Sequence, residues 1–391
     1  MMMDRRRNAV AGGFTASDAR VTDHVFRALL FRAPEELQLE LFATAPLVLR
    51  EDEVELFRRR AVTYRKLPSI PNVLFVRTLG VRLFERTLRD RIYPWLCSRR
   101  RYSLLHYTVS WPWGERPVAE RELAMVYDLY PERDDPRKLD DTRRRLGGRL
   151  DTLWISAISA STARDAVELL GVPAERVMVN LLAVDHHIYR PESAQEDEAA
   201  NLRRRFPNGF VLFVGSFSIR KNFLVLARAV EALNQRRATP LPLVMAGTET
   251  GAPIRTRMKV RSELREIFRK TPFAEIFRPT DREMAALYRA ATVLAHPSLF
   301  EGFGLTVLEA MACGCPVVCG RHSSLIEVGG DAVEFVNDVR NVEEFSVAIE
   351  NLLNAESLRR TRRSAGLIHA ASFTWDRFEA EMVALYRRIL G

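Results

Sequence analysis

HPSLFEGFGLTVLEAMACGCPVV, residues 296–318, packs a strand end, a glycine-broken loop, a short helix and the entry to a second strand into one span. Glycines on both sides of Phe303 remove side-chain obstruction and permit positive φ. Backbone N–H groups can then turn toward a ligand, while a helix beginning near Thr306 adds a favourable potential for an anion. A phosphate suits such a place. Two glutamates, Glu301 and Glu309, bracket it. Thr306 and Glu309 also have the T-x-x-E spacing of a capping box, so Glu309 alone has a purely structural reading. Glu301 follows an apolar strand, precedes a glycine and caps nothing, which leaves it without an evident structural task.

The same grammar extends on both sides. FVLFVG (210–215) is a short apolar run ending in glycine, and the next segment places Phe223, Leu226, Ala227, Val230 and Leu233 on one helical face. LPLVMAG (241–247) reads as another strand. TDREMAALYRA opens with Thr280 and Glu283 in capping-box spacing, predicting a helix to about Ala290, and TVLAH (292–296) follows as a strand. Continuous apolar strands between amphipathic helices indicate an α/β fold with a parallel sheet covered on both faces.

The first half is less regular. YSLLHYTV (102–109), ELAMVYDL (122–129), LWISAIS (153–159) and RVMVNLL (176–182) are strand candidates; between the last two, Ser161 is a candidate N-cap and Gly171 a candidate C′ residue. The polar segment at 191–209 reads as the connection between two similar domains. Ahead of the Gly12-Gly13 loop only Asn8–Ala11 are available for the apolar strand that normally opens such a domain.

A second phosphate-friendly place lies in VGSFSIRKNFLVL, where a strand runs into Gly215 and Ser216, and Arg220 and Lys221 stand just ahead of a helix. Cations there oppose the helix dipole, so an anionic partner would justify them. Lysine is rare in this chain: Lys66, Lys138, Lys221, Lys259 and Lys270 are the only five, which singles out Lys221.

At 391 residues the chain is long enough for about two to three domains. It is 47% hydrophobic and 28% charged, in the range of globular proteins. The net charge is +9, with basic runs at 58–60, 99–101 and 143–145 that read as solvated faces or as attraction to an anionic membrane surface or an acidic substrate. Zinc-finger spacing, RNP-like aromatics and a heptad with a basic region are all missing, which argues against nucleic acid. No stretch approaches the roughly 18 apolar residues of a membrane span, and the start MMMDRRRNAVAGG lacks an apolar signal core; the expected location is the cytoplasm, with peripheral contact at the inner face of the membrane as an extension. Cys313, Cys315 and Cys319 sit in apolar context without neighbouring histidines, so packing is expected rather than metal binding, and Asp185-His186-His187 is expected to be a turn. No metal site is expected.

With these residues in view, the stretch from FRPTDREM through DAVEFV (277–336) resembles the donor-binding signature of retaining glycosyltransferases of family 4, the "group 1" class with the GT-B fold of two facing Rossmann-like domains. VGSFSIRKN is similar to that family's glycine then Lys-Asn segment. ISAISASTARDAVELLGVPAERVMVNLLAVDHHIYRP is similar to the end of its first domain, and FTWDRFEAEMVALYRRIL to the final helix that crosses back onto it. The likeness is specific over 153–391 and looser before. It implies an acceptor-binding domain over 1–195, a nucleotide-sugar-binding domain over 196–372, and a C-terminal helix over 373–391 packing on the first domain.

The resemblance also implies roles. Glu301 would contact the transferred sugar and Glu309 the nucleotide ribose; the amides of Gly302, Phe303 and Gly304 would meet sugar and diphosphate. Lys221, with Arg220, would neutralise the departing diphosphate. Where many members carry an arginine directly after the loop glycine, this chain has Ser216; where many have His-Asp facing the sugar, it has Tyr127-Asp128. The acceptor would enter near Gly12-Gly13 and Tyr127-Asp128. The function implied is retaining, metal-independent transfer of a hexose, from GDP-mannose or a UDP-sugar as co-substrate and without a cofactor, to a hydroxyl of a glycan, glycolipid or small molecule. A catalytically silent subunit of the same fold is the alternative reading. A dinucleotide oxidoreductase would need a G-x-G-x-x-G at a first strand with an acidic residue about 20 positions later, an arrangement the chain does not contain.

Overall fold

The computed structural model describes residues 24–25, 27–32, 40–43, 51–60, 63–66, 95, 102–108, 117, 119–191, 196–247, 254–269 and 271–391. The chain divides into two compact units, Met1–Leu182 with Trp375–Gly391, and Ala183–Thr374. Gly12, Gly13, the proposed opening strand and the 99–101 basic run lie outside the described residues.

In the first unit, β1 (Glu40–Ala43) and β2 (Thr63–Lys66) form a short parallel pair. Strands β3 (Leu104–Tyr107), β4 (Arg121–Val126), β5 (Leu153–Ala157) and β6 (Val177–Val179) form a parallel sheet in chain order. Helices α1 (Pro136–Leu146) and α2 (Ala160–Leu170) join the later strands. Ala124, Val126, Leu153 and Ile155 bury against Ala166 and Leu170 of α2. The N-cap of α2 is Ser159, not Ser161: its side chain accepts from the Thr162 N–H, and Ser161 is already inside the helix. Gly171 ends α2 in the left-handed region, φ 72°, as expected. The β6 strand is three residues long rather than the seven of RVMVNLL, because it is the sheet edge and the chain leaves it at Asn180.

The second unit opens at Ala183, ahead of the segment read from sequence as a connection. Tyr189 is buried, with its hydroxyl 3.2 Å from Asp281, and α3 (Glu196–Arg205) packs on a helix of this unit, so the polar segment at 191–209 is partly helical and belongs to the second unit. Then come β7 (Val211–Gly215), α4 (Phe223–Gln235), β8 (Leu243–Gly247), α5 (Ile254–Phe268), β9 (Phe273–Phe277), α6 (Asp281–Ala290), β10 (Val293–His296), α7 (Leu305–Ala312), β11 (Val317–Gly320), β12 (Glu334–Val336), α8 (Val342–Asn354) and α9 (Glu356–Ala370). All strand pairs are parallel, and the order across the sheet is β12-β11-β10-β7-β8-β9. The order reverses between β7 and β10, the switch point at whose carboxyl ends a doubly wound sheet opens a crevice.

Sequence pattern and packing agree closely here. Phe223, Leu226, Ala227, Val230 and Leu233 of α4 are all buried against Val211, Phe213, Leu243 and Met245. Each large apolar side chain so placed contributes about 1.5–3 kcal/mol of burial. The Thr280–Glu283 capping box forms as expected. The final helix, α10 (Trp375–Leu390), belongs to the first unit: Tyr386 Oη and His106 Nδ1 are 2.8 Å apart, and Glu379 meets His24 and Arg32, each at 2.9 Å.

Candidate functional site

Strands β7 and β10 are neighbours, so the loops leaving their carboxyl ends emerge side by side. The first loop carries Arg220 and Lys221 on a single 3-10 turn, and the second carries Glu301. The Lys221 Nζ donates to Glu301 Oε1 at 2.6 Å, and Arg220 Nη1 donates to Oε2 at 3.2 Å and to the Phe300 carbonyl at 3.0 Å. Asn222, at φ 51°, turns the chain into α4 and ties the two loops by donating to the Pro297 carbonyl at 3.2 Å. Gly215 lies beneath the lysine: a Cβ there would stand 3.4 Å from the Lys221 stem. At the matching end of β8, a Cβ on Gly247 would fall 2.0 Å from the Gly215 carbonyl, so this close approach of strand ends requires glycine. Ser216, next in the loop, is half-buried.

Glu301 is 8% exposed and held from every side. Besides the two cations, His296 Nε2 lies 3.1 Å from Oε1 and the Ser298 hydroxyl donates to the same oxygen. The loop after β11 holds its backbone, since the Glu301 N–H donates to Ser323 Oγ at 3.2 Å and Ser324 Oγ donates to the Glu301 carbonyl at 2.8 Å. Burial alone would raise the carboxyl's pKa; the charge of Lys221, the His296 hydrogen bond and Arg220 outweigh it and hold Glu301 well below the usual carboxylate range. His296 is shifted down, chiefly by burial, against the opposing pull of Glu301. A neutral imidazole donating Nε2–H to a fixed carboxylate satisfies both shifts. Glu301 is therefore an anion that cannot act as a proton donor near neutrality, set among two cations, and the cluster retains one positive charge for an arriving anion.

Helix α7 starts one residue earlier than expected, with Gly304 at its N-cap at φ 105°. No side chain caps it, so its first-turn amides are not closed off by an N-cap hydroxyl or carboxylate. Thr306 lies inside the helix, and the T-x-x-E capping reading of Glu309 falls with it. The Glu309 carboxylate is buried and accepts from the Tyr288 hydroxyl of α6 at 3.1 Å. Gly302 is buried, and the Phe303 side chain is core, 3% exposed and edge-on to Phe373 at 6.1 Å; any ligand contact from Phe303 must come from its backbone.

The structure thus brings together Arg220, Lys221, Gly215 and Glu301, with the Gly304 helix start adjoining. Tyr127 and Asp128 directly follow β4 in the first unit, where the Tyr127 hydroxyl donates to the Thr108 carbonyl at 2.9 Å and Asp128 accepts from the Tyr130 N–H at 3.3 Å. His296, Ser298, Ser323, Ser324 and Tyr288 escaped sequence reasoning. Their only sequence signal is position, at or just after strand ends or on the face of a helix beside the glycine loop.

The remaining candidates behave as packing and turns. Cys313, Cys315 and Cys319 are buried free thiols, and burial pushes all three up, Cys315 to about 12. Asp185 accepts from the His187 N–H at 2.9 Å in a turn. Among the described residues there is no group of three or more His, Cys, Asp or Glu side chains placed to hold a metal, and no helix long and apolar enough to cross a membrane.

The family described as "Glycosyl transferases group 1" matches residues 195–367. The O-antigen chain mannosyltransferase B of Escherichia coli is 30% identical over 274 residues, 68% of this chain and 70% of that protein. A D-inositol 3-phosphate glycosyltransferase of Salinispora arenicola is 32% identical over 240 residues, 59% of this chain and 53% of that one. Among solved structures, Anabaena Alr3699/HepE in complex with UDP and glucose superposes with a TM-score of 0.70 over 99% of this chain and 98% of that one, at 15% identity, a likeness of fold.

Proposed function

The chain belongs to the group 1 glycosyl transferases, with their GT-B fold of two parallel-sheet α/β domains, and from that membership we propose that it transfers mannose from a nucleotide-diphosphate donor to a hydroxyl of a growing polysaccharide, with retention of configuration. The observation that carries the reading is the grip of Lys221 and Arg220 on Glu301 at the switch point of the second sheet. Mannose is favoured by the names of the relatives, which include a serotype-specific mannosyltransferase of Escherichia coli, 29% identical over 33% of that protein.

Breaking a sugar–phosphate bond develops positive charge on the ring and negative charge on the leaving diphosphate. Lys221, Arg220 and the uncapped start of α7 meet the negative end, and donors fixed in advance at the site of developing charge are the most effective kind. Glu301, ionised and buried, suits the positive end and the sugar's hydroxyls. Glu309, one helical turn into α7, would take the ribose. The cation pair supplies the charge a metal would otherwise bring, so the reading is metal-independent. Tyr127 and Asp128 in the first unit, with Gly12 and Gly13, remain the proposed acceptor side, and contact with a membrane-borne acceptor would fall to the basic first half.

Mass spectrometry of donor hydrolysis over a panel that includes GDP-mannose, UDP-glucose and UDP-N-acetylglucosamine tests this. Release of mannose from GDP-mannose, lost in Glu301→Ala, is expected. Turnover of a UDP-sugar alone would overturn the choice of mannose, and a folded enzyme that neither hydrolyses nor binds any nucleotide sugar would overturn the donor site.

A further inference from the structure

We propose that Tyr288 is a positioning residue for the nucleotide, fixing the Glu309 carboxylate in the orientation that selects a ribose over a deoxyribose donor. This rests on the donor-site reading above and adds to it a residue from a different helix. Tyr288 is fully buried, and its hydroxyl donates to Glu309 Oε2 at 3.1 Å across the α6–α7 contact.

Three features make this more than incidental satisfaction of a buried phenol. The first is placement. The Thr280–Glu283 capping box fixes where α6 begins, and the run Met284, Ala285, Ala286, Leu287 is buried in a helix that packs on α3 and α7, so the phenol has little freedom to choose another acceptor. The second is support: the Tyr189 ring lies 6.1 Å from that of Tyr288, and its own hydroxyl is 3.2 Å from Asp281 at the start of the same helix. The third is chemistry. Burial, and then the Glu309 charge, drive the Tyr288 hydroxyl well above its ordinary pKa, so it is a permanent donor, and a hydrogen bond to a carboxylate is among the stronger ones. A carboxylate has about four lone-pair directions. Committing one oxygen to a rigid phenol leaves the group a single rotational setting, and a vicinal diol can be matched only by a carboxylate that does not rotate.

The test is titration calorimetry with GDP and UDP and their 2′-deoxy counterparts, followed by steady-state kinetics with whichever sugar donor the enzyme turns over. Wild type is expected to prefer the ribonucleotide about tenfold or more, one hydrogen bond to a charged group being of that size. In Tyr288→Phe that preference should fall to within about twofold, because ribonucleotide affinity drops while 2′-deoxy affinity holds. The KM for the donor should rise by a similar factor with kcat little changed, since the reacting end of the site is untouched. A Tyr288→Phe enzyme that keeps the full ribose preference would overturn the proposal and leave the donor-site reading standing; a wild type that binds neither nucleotide would overturn both. If Tyr288→Phe is too unstable to titrate, the Tm increments that GDP and 2′-deoxy-GDP give the variant decide the matter: equal increments uphold the proposal, and a larger increment with GDP, by the wild-type margin, would overturn it.

Discussion

Replacing Glu301 by glutamine should destabilise the second unit in a pH-dependent way. The carboxylate receives Lys221 at 2.6 Å, His296 at 3.1 Å and Ser298 on one oxygen, and Arg220 at 3.2 Å on the other. A glutamine can keep the first oxygen's contacts as a neutral acceptor, but its amide then faces the Arg220 guanidinium donor to donor. Breaking a buried ion pair costs about 3–5 kcal/mol, and an exposed one under about 1. Lys221 and Arg220 are 16% and 30% exposed, so the loss should fall between, at about 2–3 kcal/mol. For a unit of this size that lowers Tm by roughly 5–10 °C.

The sign of the pH effect follows from the shift. A carboxyl whose folded pKa lies below the ordinary 4.5 contributes stability that is fully present above 4.5 and is lost as pH falls through the folded value. The gap between wild type and Glu301→Gln should therefore hold from pH 7 down to about 4.5 and close only in stronger acid. Thermal melts at a series of pH values measure it. With the cations released, inorganic pyrophosphate should raise the Tm of the variant more than that of wild type. A variant as stable as wild type at pH 7, or a gap that closes above pH 5, would refute the gripped, ionised carboxylate.

Two further outcomes follow from single positions. Gly304 sits at φ 105° and a Cβ there would lie 2.8 Å from Leu325 Cδ2, so Gly304→Ala should cost about 1–3 kcal/mol in denaturant titration and weaken nucleotide binding; an unaltered midpoint and affinity would show that the helix start does not need this conformation. His106, buried beside Tyr386, is shifted down to about 3 by burial, so the unfolded chain takes up this proton first and stability falls by about 1.4 kcal/mol per pH unit below 6.5. His106→Gln should flatten the stability curve between pH 6.5 and 4.5, and parallel curves for the two proteins would contradict this.

What could be read from the sequence was what repeats. Helix α4 declared itself through apolar spacing, the strands β7, β8 and β10 through unbroken apolar runs, and α6 through its capping box, because each of these signals is local. The edge strands β9 and β12 were missed: FAEIF places a glutamate in mid-strand and EFV is three residues long, and neither carries a period. The connection at 191–209 misled for the converse reason. Its polarity is that of an exposed helix covering α6, which looks like a linker until its partner is known. At the site, Glu301 stood out because it lacked a local task, and it proved to have long-range ones. Glu309 had a local explanation available, and the structure removed it by beginning α7 at Leu305. Tyr288, Ser323 and Ser324 were invisible, since their roles depend on which loops and helices the sheet order brings together and not on neighbours in the chain.

The most direct test of the donor site is the rate of sugar transfer by Lys221→Ala on the donor identified for wild type. Lys221 is half-buried, and Glu301 keeps Arg220, His296 and Ser298 when the amine is removed, so the fold should survive with a Tm within a few degrees. Losing a preorganised donor aimed at the leaving diphosphate should lower kcat by about 10²–10³. A folded Lys221→Ala enzyme that transfers sugar at the wild-type rate would contradict the account.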